Sequence, residues 1–158
     1  MCPKAITIKV PTITVRISPL GFHSYAAQFL GASANSEARD GFSPVPYYLV
    51  SRSLELALKA YLLAKNVDVQ VLKGELGHDL MKCLARAQSE GLEQSLSISA
   101  TQKAELKKAN SYYATKGFEY FQVTKAVTGY RDLPDLRTLR NLAGQLLDEI
   151  EDICLKAT

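Results

Sequence analysis

The amino-acid sequence predicts an all-α protein, an up-and-down bundle of about five helices that follows an extended N-terminal arm. Apolar residues recur every three to four positions in five stretches, which is the spacing of an amphipathic helix. Capping residues or prolines stand where several of these stretches begin. The chain has 158 residues, of which 47% are hydrophobic and 22% are charged. This size and composition are typical of one globular domain whose core needs no disulfide or metal.

Residues 1–17 are predicted to form an arm outside the bundle domain, which is assigned to 18–158. Apolar and polar residues alternate from position 5, the period of a β-strand, and the parity changes at Pro11-Thr12. A two-residue turn there would place six apolar side chains on one face: Ile6, Ile8, Val10, Ile13, Val15 and Ile17. Pro-Thr is a poor hairpin turn, so a β-hairpin and a bent extended arm both stay open. Since a lone hairpin is marginal in water, the arm is expected to lie on the bundle or on a partner chain.

The first helix is predicted to begin at Ser18-Pro19, which supply an N-cap and a first-turn proline, and its apolar stripe reaches Leu30. A polar loop at 35–43 separates it from the second helix, which is predicted over about 46–65. The second helix has only a narrow polar stripe, formed by Arg52, Glu55 and Lys59. Because nearly all its other positions are apolar, it is expected to be the central and most buried helix.

The third helix is predicted over about 78–91, after a connector at 66–77. The fourth is predicted over 99–121, because Ser99 and Gln102 match a capping box and an apolar stripe follows them. Four aromatic residues of this stripe are expected in the core: Tyr112, Tyr113, Tyr120 and Phe121. Base stacking is the alternative role for them.

Pro134 and Asp135 are predicted to open the last helix, whose apolar residues keep a 3.6-residue rhythm as far as Cys154. The three cysteines are far apart, and only two histidines accompany them. A zinc site is therefore not expected, since its four ligands usually come in close pairs. Cys83 and Cys154 fall at apolar helix positions, so we expect them to be buried.

The net charge, the N-terminal sequence and the charges in the most apolar helix indicate where the protein is located and what it associates with. The net charge of +3 is well short of the cationic excess that by itself marks a nucleic-acid binder. The N-terminus lacks the basic and apolar regions of a secretory signal, and charges interrupt the most apolar helix. We therefore expect a cytoplasmic protein that associates with no membrane and carries no cofactor.

Three segments, taken together, resemble the HEPN family. They are 53–63 with Gly77-His78-Asp79, the stretch 110–121, and 133–136 leading into the last helix. Their order and spacing match over about residues 45–153. The resemblance implies a helical bundle that forms a homodimer and that is tied to RNA or nucleotides.

The resemblance also implies a site on the last helix. Active members of the family carry Arg, four to six residues and then His, often with Asn after the Arg. Here Arg140 and Asn141 match, but Gln145 stands where the histidine is expected. Glutamine cannot titrate, whereas metal-independent RNA cleavage needs a group that moves a proton near neutral pH. With Arg137, these residues form a predicted phosphate-binding face that does not cleave, and ion pairs with nearby carboxylates such as Asp135 are the alternative.

His78 is the candidate catalytic residue of an alternative function. The simpler interpretation is that His78 or Asp79 caps the third helix by accepting hydrogen bonds from backbone N–H groups. His23 is expected to be an ordinary surface residue.

The resemblance, together with Gln145 in place of the histidine, implies a homodimeric, non-catalytic module that binds RNA, a nucleotide or a protein partner. A nucleotidyltransferase-like partner would point to a toxin–antitoxin pair. Two alternatives stay open. One is an active ribonuclease or toxin that uses His78. The other is a structural interaction protein whose arm adds a strand to its partner.

Overall fold

The computed structural model describes residues 17–36, 42–120 and 132–157, and within them the chain is helical and contains no strand. Six α-helices and one short 3₁₀ helix, Leu92–Gln94, occur in these ranges. The α-helices are α1, Pro19–Ala34; α2, Val45–Ala64; α3, Val69–Gly74; α4, Leu80–Ser89; α5, Ala100–Tyr113; and α6, Leu136–Lys156. The predicted all-α bundle is therefore confirmed. Of the N-terminal arm predicted at 1–17, residues 1–16 lie outside the described residues.

Three helices begin where the sequence predicts, because a side chain satisfies the first unpaired N–H groups. The Ser18 hydroxyl accepts a hydrogen bond from the Gly21 N–H at 3.1 Å. Ser99 and Gln102 form both hydrogen bonds of a capping box at the start of α5. The carboxylate of Asp135 caps α6 by accepting a hydrogen bond from the Thr138 N–H at 2.8 Å.

The predicted connector at 66–77 contains a helix that the sequence analysis missed. Asp68 caps α3 by accepting a hydrogen bond from the Gln70 N–H at 2.6 Å. The helix has only six residues, too few to establish a 3.6-residue apolar rhythm. Short helices of this kind depend on packing, here of Leu72, which is buried.

The prediction that the fourth helix runs to Phe121 was wrong, because α5 ends at Tyr113. Lys116 adopts a left-handed backbone with φ of 57°, and the Gly117 N–H donates to the Tyr112 carbonyl at 2.7 Å. A left-handed residue of this kind is a common way to end a helix. Tyr113 is buried as predicted, but Tyr120 lies beyond the turn and is 62% exposed. Phe121 lies outside the described residues.

The core is centred on α2, as the sequence predicts. Thirteen of its 20 residues are buried, and α1, α4, α5 and α6 all pack against it. Cys83 and Cys154 are completely buried, which confirms their predicted role as small core residues. Burial raises the pKa of the Cys83 thiol to about 12. None of the helices in the described ranges combines the length and apolar character needed to cross a bilayer.

Two serine hydroxyls fix α1 against α2 in an antiparallel register. Ser53 donates to the Ala26 carbonyl at 2.7 Å, and Ser33 donates to the Pro46 carbonyl at 2.9 Å. Side chains this short reach the neighbouring backbone only where the helices are close. Ala26 is completely buried at this crossing, which leaves no room there for a longer side chain.

Candidate functional site

A buried carboxylate in the middle of α2 organises a polar cluster inside the bundle. Glu55 is 1% exposed and accepts hydrogen bonds from four side chains. Lys59 donates to Oε1 at 2.6 Å, whereas Arg52 donates to Oε2 at 3.0 Å. The Tyr113 hydroxyl of α5 donates to Oε2 at 2.5 Å, and His78 Nδ1 lies 3.1 Å from the same oxygen. An ionised carboxylate only accepts hydrogen bonds, so the Nδ1 atom of His78 carries a proton in this contact.

Lys59 connects this cluster to the chain that precedes α4. Lys59 is only 7% exposed, and its ammonium donates a second hydrogen bond, to the Gly77 carbonyl at 2.5 Å. Gly77 has a φ of +52°, a left-handed conformation that a residue with a side chain adopts at a cost. An ammonium has three N–H donors, and these two bonds leave one for a ligand.

The partners of Glu55 determine its charge. Burial alone raises the pKa of a carboxyl group, but the hydrogen bonds from Lys59 and Tyr113 and the charge of Arg52 act in the opposite direction. The pKa of Glu55 therefore lies below its ordinary value, and the carboxylate is ionised at neutral pH. Burial, and then the neighbouring Glu55 charge, raise the pKa of Tyr113, so its hydroxyl remains a donor.

The stability that Glu55 contributes is expected to depend on pH only in acid. Because its pKa is lower in the folded chain, this contribution is complete above the unfolded value of about 4.3 and is lost as the pH falls through the folded value. The difference in unfolding free energy between the parent and Glu55→Gln should shrink as the pH falls from about 5 to about 3. Urea titrations at about pH 5, 4 and 3 measure it. A difference that grows over this range would contradict the ion pairing described here.

A cavity of about 680 Å³ opens beside the cluster, between α1, α2 and α3. Its apolar lining is formed by Ile17, Phe22, Tyr25, Phe29, Leu56, Val69 and Leu72, and its polar lining by Gln28, Arg52, Glu55, Lys59, Lys73 and His78. Three of these side chains are cationic and one is anionic, which gives a net charge of +2 with His78 counted as neutral. The volume is within the range of small-molecule sites, about 300–1,000 Å³. The cavity thus combines apolar walls with a cationic region.

A smaller cavity of about 290 Å³ adjoins the first along α1. The two share Tyr25, Gln28 and Phe29, and Ala32 and Leu49 complete the smaller one. No residue of this lining is charged. The charges of the groove between α1 and α2 are therefore concentrated in the larger cavity.

The structure does not bring the predicted residues of α6 into either cavity. Arg140 donates to the backbone carbonyl and, at 3.2 Å, to the hydroxyl of Ser33, so its guanidinium connects α6 to α1. Gln145 accepts a hydrogen bond from Gln102 of α5 at 2.7 Å. Arg137, Asn141 and Gln145 are exposed, whereas Arg140 is half-buried. This side of α6 is outside both cavity linings.

His78 and Asp79 were the two predicted caps of the helix that the structure shows as α4. Asp79 is the residue that caps it. Its carboxylate accepts from the N–H groups of Met81 and Lys82, each at 3.0 Å, and from Asn110 Nδ2 at 3.1 Å. His78 contacts Glu55 instead, although its side chain is 57% exposed. His23 differs from its prediction as a surface residue, because it is half-buried with Nε2 3.0 Å from the Leu147 carbonyl.

The sequence places Glu55 and Lys59 on the polar stripe of the second helix, but it does not show that they are buried. A polar stripe on an amphipathic helix ordinarily faces solvent. Here α5 and the Gly77-His78 turn cover the stripe, and no local pattern shows this. The usable signal was the charge pair within an otherwise apolar helix, because buried charges need partners.

Within the described ranges, no three His, Cys, Asp or Glu side chains come close enough to hold a metal ion. Comparison of the chain with protein-family models, curated proteins and solved structures gives no match. The HEPN resemblance therefore stays a prediction.

Proposed function

We propose that this chain is a binding module that takes a nucleotide, or the end of an RNA strand, into the larger cavity. The observation that supports the proposal is the group of three cations at one side of an apolar cavity, of which Lys59 is buried, Arg52 is half-buried and Lys73 is exposed. A nucleotide combines an anionic phosphate with an aromatic base, and the lining contains a counterpart for each.

The phosphate is expected to lie against Lys59, Arg52 and Lys73. Lys59 has an N–H donor left after its bonds to Glu55 and Gly77, and Glu55 holds its ammonium in position. Glu55 also orients Arg52 through one nitrogen, which leaves other guanidinium donors for a ligand. Such preorganised donors bind phosphate oxygens with little loss of side-chain entropy.

The base is expected to pack against aromatic side chains of α1. Phe22, Tyr25 and Phe29 are spaced three and four residues apart, which places them along one side of the helix, and all three line the cavity. Stacking of a base on an aromatic ring is worth about 1–3 kcal/mol and depends little on the base. Gln28 is the neutral polar side chain that lies beside them.

This proposal keeps the function that the HEPN resemblance implies and moves the site from α6 to the groove between α1 and α2. Gln145 cannot supply acid–base catalysis, which favours binding without cleavage. Moving the proposed site does not alter the prediction of a homodimer or of a nucleotidyltransferase-like partner. Measurement of the mass in solution tests the dimer.

Replacing Lys73 by Gln is expected to weaken nucleotide and RNA binding by about three- to tenfold, as loss of one partly solvated charge contact costs about 1 kcal/mol. Lys73 is exposed, so its replacement should leave the fold intact. Lys107→Gln removes an exposed lysine on α5 and is the matched control for net charge. Calorimetric titration with a nucleotide mixture and a short single-stranded RNA measures both. Equal affinity of the two variants would exclude the cavity as the site.

A second candidate function, an active ribonuclease, is favoured by the contact between His78 and Glu55. A carboxylate that holds Nδ1–H leaves Nε2 as a base, which is the arrangement of many catalytic histidines. RNA cleavage by the purified parent chain that disappears in His78→Ala would establish this alternative.

A further inference from the structure

The charge of the larger cavity restricts the form of phosphate it takes. The lining contains three cationic side chains, Arg52, Lys59 and Lys73, and one carboxylate, Glu55, so it carries a net charge of +2. A phosphate group attached through a single ester bond carries about −1.5 to −2 at pH 7. Building on the proposed function, we infer that the ligand is a phosphomonoester, a nucleoside monophosphate or a terminal phosphate of RNA, and not a triphosphate or an internal phosphodiester.

Burial makes this charge match selective. Glu55 and Lys59 are almost fully buried, so a phosphate that reaches the Lys59 ammonium leaves most of its water behind. Transfer of a charge from water is costly unless an opposite charge compensates it. A phosphodiester has one negative charge and would leave part of the cationic lining uncompensated. A triphosphate brings more negative charge than the lining neutralises, into a cavity whose other walls are apolar.

The apolar lining limits what the phosphate is attached to. Inorganic phosphate would leave Phe22, Phe29 and Leu72 in contact with water, whereas a nucleoside covers them. Both the phosphate and the base are therefore required for tight binding. A free nucleoside monophosphate and a 5′-phosphorylated RNA end share this chemistry.

Calorimetric titration of the full chain with eight ligands tests the inference. The ligands are the four nucleoside monophosphates, adenosine, ATP without added metal, and one six-nucleotide RNA prepared with a 5′-phosphate and with a 5′-hydroxyl. We expect monophosphates to bind at least about tenfold more tightly than adenosine, since charge-assisted hydrogen bonds contribute about 1.5–3 kcal/mol. ATP and the hydroxyl-ended RNA should also bind at least about tenfold more weakly than the monophosphates. Lys73→Gln should reduce this preference, and Lys107→Gln should not.

The outcomes separate this inference from the proposed function. Binding of the phosphorylated RNA as tightly as of a monophosphate identifies RNA ends as a source of the ligand, and binding of monophosphates alone identifies free nucleotides. ATP or hydroxyl-ended RNA binding as tightly as monophosphates would overturn the inference and leave the nucleotide site in place. Absence of binding by every ligand would overturn both.

Discussion

Glu55→Ala is expected to lower the free energy of unfolding by about 3–5 kcal/mol, the cost of removing one partner from a buried charge cluster. The variant leaves the Lys59 ammonium with only the Gly77 carbonyl and leaves the Tyr113 hydroxyl, which is buried, without its carboxylate. A typical domain is stable by only about 5–15 kcal/mol, so this loss is large. Urea denaturation followed by circular dichroism measures it.

Two further variants give this prediction its controls. Arg86→Ala removes an ion pair with Glu90 at the surface of α4 and should cost less than about 1 kcal/mol. The double variant Glu55→Leu/Lys59→Met replaces both charges by apolar side chains of similar size and should recover the part of the loss that comes from the unpaired Lys59 ammonium, whereas the Tyr113 hydroxyl stays without its carboxylate. If Glu55→Ala cost no more than Arg86→Ala, the cluster would not be the buried network described here. Recovery in the double variant would indicate that the charges are retained for a ligand, since stability does not require them.

Ala26→Leu is expected to destabilise the chain by about 2–3 kcal/mol, because the larger side chain separates α1 from α2. Ala26 is completely buried, and its carbonyl accepts the Ser53 hydroxyl at 2.7 Å. Both the packing and this hydrogen bond are lost if the helices move apart. Thermal and urea unfolding measure the change.

The next residue provides a control on the same helix. Ala27 is exposed, so Ala27→Leu has the same change in volume and helix propensity without the crowding. This substitution should change the free energy of unfolding by no more than about 0.5 kcal/mol relative to the parent chain. Equal effects at the two positions would show that α1 is not held against α2 in the register described.

The fold could be predicted wherever a local signal was strong. Ser18, Ser99 and Asp135 cap helices as expected, because a cap depends on residues next to it in sequence. The short α3 was missed, since its six residues are stabilised by packing more than by pattern. The end of α5 was misplaced because aromatic residues continue the apolar stripe beyond the left-handed turn at Lys116.

The candidate site was much less predictable, because it depends on contacts between distant parts of the chain. Glu55 meets His78 and Tyr113, which are 23 and 58 residues away in sequence. Tyr113 was predicted as a core residue, and its burial is confirmed, but its hydroxyl contact with a carboxylate requires the three-dimensional arrangement. Arg140 was predicted to hold a phosphate, whereas its contacts with Ser33, 107 residues away, were not foreseeable from its own helix.

The hydrogen bond between the Lys59 ammonium and the Gly77 carbonyl connects the cavity to the N-terminus of α4. The same ammonium that would meet a phosphate holds the turn immediately before Asp79, the cap of α4. A ligand that drew Lys59 away from that carbonyl would link occupancy of the cavity thermodynamically to the geometry of the α4 N-terminus. By reciprocity, a partner protein that bound the first turn of α4 would then alter the affinity for the ligand by the same factor.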